Sequence, residues 1–257
     1  MHSFRIFRRP LTLLACLAFA LQGSYIVGPT GSAPITPSTG TPGFVQTAEA
    51  HQTTSATPLS ASFGSLPAIN DVVIVGGANF GGGAAGNLEG GVTDNQGNSY
   101  ARLSAFPVNG VTLSVATFWC AVVTVSSGTF TVSLDTPAAP VQKGIQILEY
   151  SHASCNPDKS AGASGATSPY SCGSFTTKNP NDLLLALVIP AGGATGTVTF
   201  TAPTGFTVRQ SQGVVANGVP MAVADNIVSA VGTFTPTFGA SQNLASTPCI
   251  FSAMISQ

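Results

Sequence analysis

The apolar residues of this chain come in short runs that alternate or clump, and never in a helical stripe. Phe130, Val132 and Leu134 alternate with Thr129, Thr131, Ser133 and Asp135, and Val198 and Phe200 alternate with Thr197, Thr199 and Thr201. Phe206 and Val208 continue the habit beside Thr207 and Arg209. A period of two puts one face of a strand in a core and the other in water. Residues 72–75, 113–125, 183–189 and 249–255 are apolar on both faces, as central strands of a packed sheet are. Beyond the N-terminal segment, no window of a dozen residues joins a 3.6-residue period to capping signals. The chain has only three Glu and three Lys from which to build solvent-facing helix.

Counting the runs predicts about ten or eleven strands with turn signals between them, hence an all-β protein. The architecture expected is a single antiparallel β-sandwich of jelly-roll type over residues 43–257. Gly-Thr-Phe-Thr occurs at 128–131 and again at 232–235, too short a match to establish an internal repeat. Composition then excludes classes of function. Hydrophobic residues are 44% and charged residues 7%, the reverse of a disordered chain. A formal net charge of −1 supplies no basic field for nucleic acid.

The N-terminus sets the expected compartment. Arg5, Arg8 and Arg9 precede an uncharged apolar run at residues 11–21, and Ala18-Phe19-Ala20 offers a cleavage site, so residues 1–20 read as a signal peptide. Two readings compete with cleavage there. Leu13-Leu14-Ala15-Cys16 resembles a lipobox with a short apolar region before it, and an uncleaved anchor reaching Gly28 is interrupted by Gln22, Gly23 and Ser24. Residues 21–42, rich in Pro, Thr and Ser, read as an extended linker. Without Cys16 four cysteines remain, and an even number in an exported chain predicts two disulfides. Cys155 and Cys172 bracket a Ser/Gly/Ala segment with no strand signal and are expected to pair. Cys120 and Cys249 then form the other bridge. His51 and His152 match no zinc spacing, and no metal or cofactor is expected.

Several segments invite a chemical reading. Gly81-Gly82-Gly83-Ala84-Ala85-Gly86 fits G-x-G-x-x-G, but Asn87-Leu88-Glu89-Gly90-Gly91 cannot be the helix that a dinucleotide site needs, so it reads as a loop. Asp94 to Asn98 read as a hairpin tip, with calcium ligation the weaker alternative. Glu149 shares strand parity with Ile145 and Ile147, and Asp225 with Met221 and Val223. Both carboxylates are therefore expected to face inward, against backbone donors or a cation. Brought together, they would make an acid/base pair of the glycosidase kind. Trp119 reads as core beside a disulfide. Tyr100, Tyr150 and Tyr170 are the remaining stacking platforms, with Tyr170 expected to be the most exposed. No G-x-S-x-G elbow is present.

Four stretches in order carry a resemblance: Val92-Thr93-Asp94 leading to Gly97-Asn98-Ser99-Tyr100; Ile145-x-Ile147-x-Glu149-Tyr150; Asn181-Asp182-Leu183-Leu184; and Ala224-Asp225-Asn226-Ile227-Val228-Ser229-Ala230-x-Gly232-Thr233. Together they resemble a group of largely uncharacterised secreted bacterial β-sandwich surface domains, over most of residues 43–257. The resemblance implies a jelly-roll-like sandwich outside the cell and brings no catalytic residues with it.

The function expected is a non-enzymatic extracellular or cell-surface module, structural or adhesive. Its partner would be a cell-surface polysaccharide or another protein surface, with no nucleic acid and no membrane span in the mature chain unless the N-terminal segment stays uncleaved. A carbohydrate-binding module is the alternative. A glycoside hydrolase-like enzyme using Glu149 and Asp225 is a second alternative. The candidate ligand-binding residues are Asp94, Asn98, Glu149, Tyr170 and Asp225.

Overall fold

A computed structural model describes residues 40–54, 58–80, 91–108, 114–135, 142–189, 194–243 and 247–257. The signal peptide expected at residues 1–20, most of the linker expected at 21–42 and the glycine run at 81–86 lie outside the described residues. Among the described residues, apart from one 3₁₀ turn at Val215–Asn217, the regular elements are all antiparallel strands.

The first half of the chain supplies β1 (Gly43–Gln52), β2 (Leu59–Ser62), β3 (Val72–Phe80), β4 (Val92–Asp94), β5 (Ala101–Val108), β6 (Ser114–Val122), β7 (Thr131–Leu134) and β8 (Gln142–Ser151). They form a large sheet in the order β1-β8-β3-β6-β5 and a small one in the order β2-β7-β4. This is jelly-roll order, with β5 zipped onto β6 at the edge of the large sheet.

The second half supplies β9 (Ala153–Gly165), β10 (Tyr170–Ser171), β11 (Phe175–Thr176), β12 (Leu183–Val188), β13 (Phe200–Thr201), β14 (Thr207–Gln212), β15 (Met221–Ile227), β16 (Thr233–Phe234), β17 (Thr237–Ala240) and β18 (Thr247–Ser256). Its large sheet runs β9-β18-β12-β15-β14 and its small sheet β10-β17-β13, with β11 and β16 as an added pair. Ranked in chain order within its own sheet, the second large sheet has the same strand order as the first, 1-5-2-4-3. So does the small sheet. The jelly-roll sandwich expected from the sequence is therefore formed twice within one compact unit, Thr36–Gln257.

Local irregularities repeat with the topology. An extra residue bulges at Val45 in β1 and at Asp158 in β9, and another at Leu103 in β5 and Arg209 in β14. Asn70 and Asn181, each with positive φ (75° and 62°), precede Asp71 and Asp182 just ahead of β3 and β12. The backbone carbonyls of these aspartates accept from Val123 N and Val228 N at 2.8 and 3.1 Å. The two Gly-Thr-Phe-Thr segments lead into β7 and β17, at the same corner of each repeat. Residue identities alone show no internal repeat; sheet order and register establish one. Bulges are retained as structural features where identities are not.

The two large sheets pack on each other and the small sheets cover their outer faces, giving four layers. Val72, Ile74, Phe118, Leu148, Tyr150, Leu183, Leu185, Leu187, Met221, Val223 and Ile250 fill the central layer. Val73, Val75, Trp119, Ile145 and Ile147 face outward onto Leu59, Phe130, Val132 and Leu134 of the first cover. Leu184, Ala186, Val188 and Phe251 meet Tyr170, Val198 and Phe238 of the second. This layering explains the doubly apolar runs, since all six residues of β12 are buried. Each fully buried Leu or Val contributes about 1.5–3 kcal/mol. The covers keep a period of two. Val132 and Leu134 are buried, while Ser133 and Thr131 exchange hydroxyl hydrogen bonds with Ser60 and Ser62 at 2.8 Å.

Two disulfides form, with a connectivity that differs from the expected one. Cys120 pairs with Cys155 (Cα–Cα 5.5 Å) and Cys172 with Cys249 (Cα–Cα 4.4 Å). The expected Cys155–Cys172 loop fails because residues 153–165 are no loop. They form the 13-residue edge strand β9, paired along β18. Its Ala, Gly and Ser residues have weak strand propensity, and pairing to a buried neighbour overrides it. The strand carries Cys155 to the first repeat's Cys120, so this bridge ties the repeats together. The other ties the second cover to its own large sheet. His152 alone, at φ 55°, joins β8 to β9 and so one repeat to the next.

Candidate functional site

The residues nominated from sequence are dispersed. Asp94 Oδ1 accepts from Gln96 N and Asn98 N (2.9 and 3.0 Å), and Oδ2 from Asn98 Nδ2 and Tyr100 Oη (2.9 and 3.0 Å). Burial, reinforced by the Asp94 charge, pushes the Tyr100 phenol well above its usual range. Asn98 Oδ1 in turn accepts from Thr124 N, Thr124 Oγ1 and Val125 N. This is a turn stitched to the next loop, with both carboxylate oxygens engaged.

Glu149 and Asp225 face inward as strand parity predicts, but toward different layers. Glu149 is on the outer side of its sheet, where Oε1 accepts from Ala68 N (2.9 Å) and Oε2 from Gln46 Nε2 (2.6 Å). Asp225 lies in the central layer, where it accepts from Tyr150 Oη (2.9 Å) and Arg209 Nε (2.7 Å). Arg209 also sits 4.3 Å from the Phe44 ring centroid, so the group spans both repeats. Glu149 and Tyr150 are neighbours on one strand and point to opposite faces. The first repeat's sheet therefore separates the two carboxylates, and they share no cleft. Tyr170, expected to be exposed, is fully buried, with Oη donating to Gln242 O at 3.0 Å. Its segment enters the second cover by pairing with β17, and its ring faces inward. Trp119 is core, as expected, 9% exposed with Arg102 at 5.9 Å from its ring.

Two pairs of carboxyl groups emerge that the sequence did not disclose. Asp71, just ahead of β3, lies beside Glu149. Burial first, then the hydrogen bond and charge of Glu149, push its pKa up to about 7, against the opposing charge of His152. Asp182, its counterpart in the second repeat, is fully buried and lies beside Asp158; burial and that neighbour likewise raise it to about 7. Asp158 Oδ2 accepts from Lys178 N at 2.6 Å. Two close carboxyls in a poorly solvated place share a proton rather than both ionise.

A concave site is found at the seam where β1 of the first repeat meets β14 of the second and the turn that follows it. The cleft holds about 540 Å³ and is lined by Glu49, Ala50, His51, Gln52, Thr53, Thr54, Gln212, Ala216 and Asn217. Strand alternation turns Glu49 and His51 to the same face of β1. Their Oε2 and Nε2 atoms are 3.2 Å apart, and Gln146 Nε2 reaches the same carboxylate oxygen at 3.3 Å. Burial works to raise the Glu49 pKa, but hydrogen bonds from His51 and Gln210, the charge of His51 and a hydrogen bond from Gln146 outweigh it, so the carboxyl is held below its usual value. Behind it, His51 Nδ1 and Gln146 Oε1 are buried without a hydrogen-bond partner. The ring lies across Gly144, where an added methyl would come within 3.0 Å of His51 Nδ1. From the sequence, His51 stood out only as an isolated histidine; the parity of Glu49 with it was the signal available.

Among the described residues no group of three or more metal-ligating side chains assembles. Comparison with family models, with curated proteins and with solved structures finds no match.

Proposed function

We propose that this chain is an exported, disulfide-braced module of the bacterial cell surface with a structural or adhesive role. The observation that carries this reading is the Cys120–Cys155 bridge, which clamps one repeat to the other across the central layer. Such bonds persist in oxidising compartments and are rare where thiols are kept reduced. The export signal expected at residues 1–20 and the Pro/Thr/Ser-rich linker agree with it. So does the employment of Asp94, Glu149 and Asp225 as internal hydrogen-bond acceptors, which gives these carboxylates a part in rigidity. A two-repeat body with a one-residue link at His152, a disulfide between the repeats and fully buried central strands suits a rigid spacer or display platform.

The test is fractionation of bacteria making the full chain, followed by thiol titration of the unreduced, denatured protein. The expected result is recovery in the envelope or medium fraction, release by protease treatment of intact cells, and no free thiol at the four positions. Recovery in the cytosol with Cys120, Cys155, Cys172 and Cys249 all free would overturn the reading.

A further inference from the structure

We propose that the β1–β14 seam cleft binds a short neutral saccharide, with the Glu49 carboxylate as the principal acceptor for its hydroxyl groups. This gives the adhesive reading above its ligand class and rests on that reading.

The chemistry of the lining selects such a ligand. Among the described residues it offers the Glu49 carboxylate with the His51 imidazole bound to it, the amides of Gln52, Gln212 and Asn217 and the hydroxyls of Thr53 and Thr54, with no Lys, Arg, Phe, Tyr or Trp. An anion would meet the Glu49 carboxylate, and the His51 imidazole beside it is already engaged by that carboxylate at 3.2 Å. A large apolar ligand would find no apolar ring to stack on. A ligand rich in hydroxyls both donates to the carboxylate and accepts from amides and hydroxyls. The volume lies within the range of small-ligand sites.

The duplication points to the same place. The register places Glu49 opposite Gln146 and His51 opposite Gly144 in the first repeat, and Gly162 opposite Ile250 and Ser164 opposite Pro248 in the second. By strand rank, Gly162 and Ser164 are the counterparts of Glu49 and His51. The fold therefore completes this seam with small residues on one side of the molecule. On the other it buries the His51 imidazole and leaves two polar atoms, its Nδ1 and Gln146 Oε1, without partners, at a cost to stability. Unpaired buried polar groups beside an open, polar cleft are what a site poised for a ligand retains.

The experiment uses the purified full chain on an array of neutral mono- and oligosaccharides, with any hit titrated by calorimetry against wild type, Glu49→Gln and Asn217→Ala. Asn217 is exposed at the rim, so its variant keeps the fold even if Glu49→Gln does not. The expected result is a saccharide bound by wild type and weakened about tenfold or more by Glu49→Gln, and to a smaller degree by Asn217→Ala, with melting temperature unchanged in the latter. An array without a hit, or a hit insensitive to both variants, would overturn the proposal. Fractionation and thiol titration read the surface role independently, so a failed array and a cytosolic chain are distinguishable results.

Discussion

The two repeats follow one path through space and fill it with different chemistry. Where β6 places Cys120 opposite Ala101 in the first repeat, β15 places Asp225 opposite Thr207 in the second. One position becomes a covalent bridge to the other repeat, the other an acceptor for Tyr150 and Arg209. Glu149 of β8 has Ala253 as its counterpart in β18. The carboxyl that meets Asp71 therefore comes from a central strand, whereas the one that meets Asp182 comes from the β9 bulge, Asp158. What is held in common is backbone: strand order, bulges, the left-handed Asn before Asp. What differs is the side chains at Cys120 and Asp225 and at Glu149 and Ala253. A jelly roll here is a scaffold that tolerates exchange of a disulfide for an ion pair at one point, provided each is satisfied.

The largest effect that separates the repeats should come from their bridges. Chain entropy assigns each disulfide about 4 kcal/mol, for sequence separations of 35 and 77 residues. Denaturant titration of the Cys120→Ser/Cys155→Ser and Cys172→Ser/Cys249→Ser variants is expected to show losses of that size. Only the first pair should loosen one repeat from the other, read as protease cleavage near His152. Equal protection at that junction in both variants would break the comparison.

Next in size is the polar counterpart of the cross-repeat bridge. Removing Asp225 leaves Tyr150 Oη buried without its acceptor and strips Arg209 of its partner. Asp225→Ala is expected to cost about 3 kcal/mol by the same titration. Asp94→Ala, whose partners lie near solvent, should cost less.

The carboxyl pairs predict a pH dependence common to both repeats. Asp71 and Asp182 have folded-state pKa values of about 7 against an ordinary value of 3.8. Between those values the folded chain holds protons that the unfolded chain has released. Their stabilisation is thus fully present below about pH 4 and is lost as pH rises through about 7. Melting temperature should fall by a few degrees across that window in wild type. It should fall by half as much in Asp71→Asn or Asp182→Asn, and stay level in the double variant. A slope that survives the double substitution would show that other groups set it.

The smallest effect tests the shared backbone. Asn70→Ala and Asn181→Ala each force a less tolerant residue into the left-handed region and are expected to cost about 1 kcal/mol apiece. Similar losses in denaturant titration would support the equivalence of the turns that lead into β3 and β12. A large gap between them would show that one Asn side chain has a further role.

Much of this was legible locally. Alternation at Phe130, Val132 and Leu134 and the doubly apolar run at 183–189 announced cover and central strands, and parity turned Glu149 and Asp225 inward. The turn at Asp94 to Asn98 was readable from its own residues. β9 was missed because Ala161, Gly162, Ala163 and Ser164 have no strand signature of their own; their pairing with β18 makes them a strand. The cysteine pairs and the depth of Tyr170 went wrong for that same reason. The seam cleft was missed because its two walls are about 160 residues apart in the chain and meet only when the large sheets pack.

By itself the sequence determined that this chain makes antiparallel strands with one or two buried faces, because side-chain periodicity is a property of neighbours along the backbone. It also determined the turn at Asp94 to Asn98, whose residues bond to their own backbone. The tertiary structure alone decided that the sandwich is built twice, which cysteines meet, which carboxyls share a proton and where a cleft opens. Those are consequences of register and sheet-on-sheet packing, and such contacts join residues whose separation in the chain holds no record of their closeness in space.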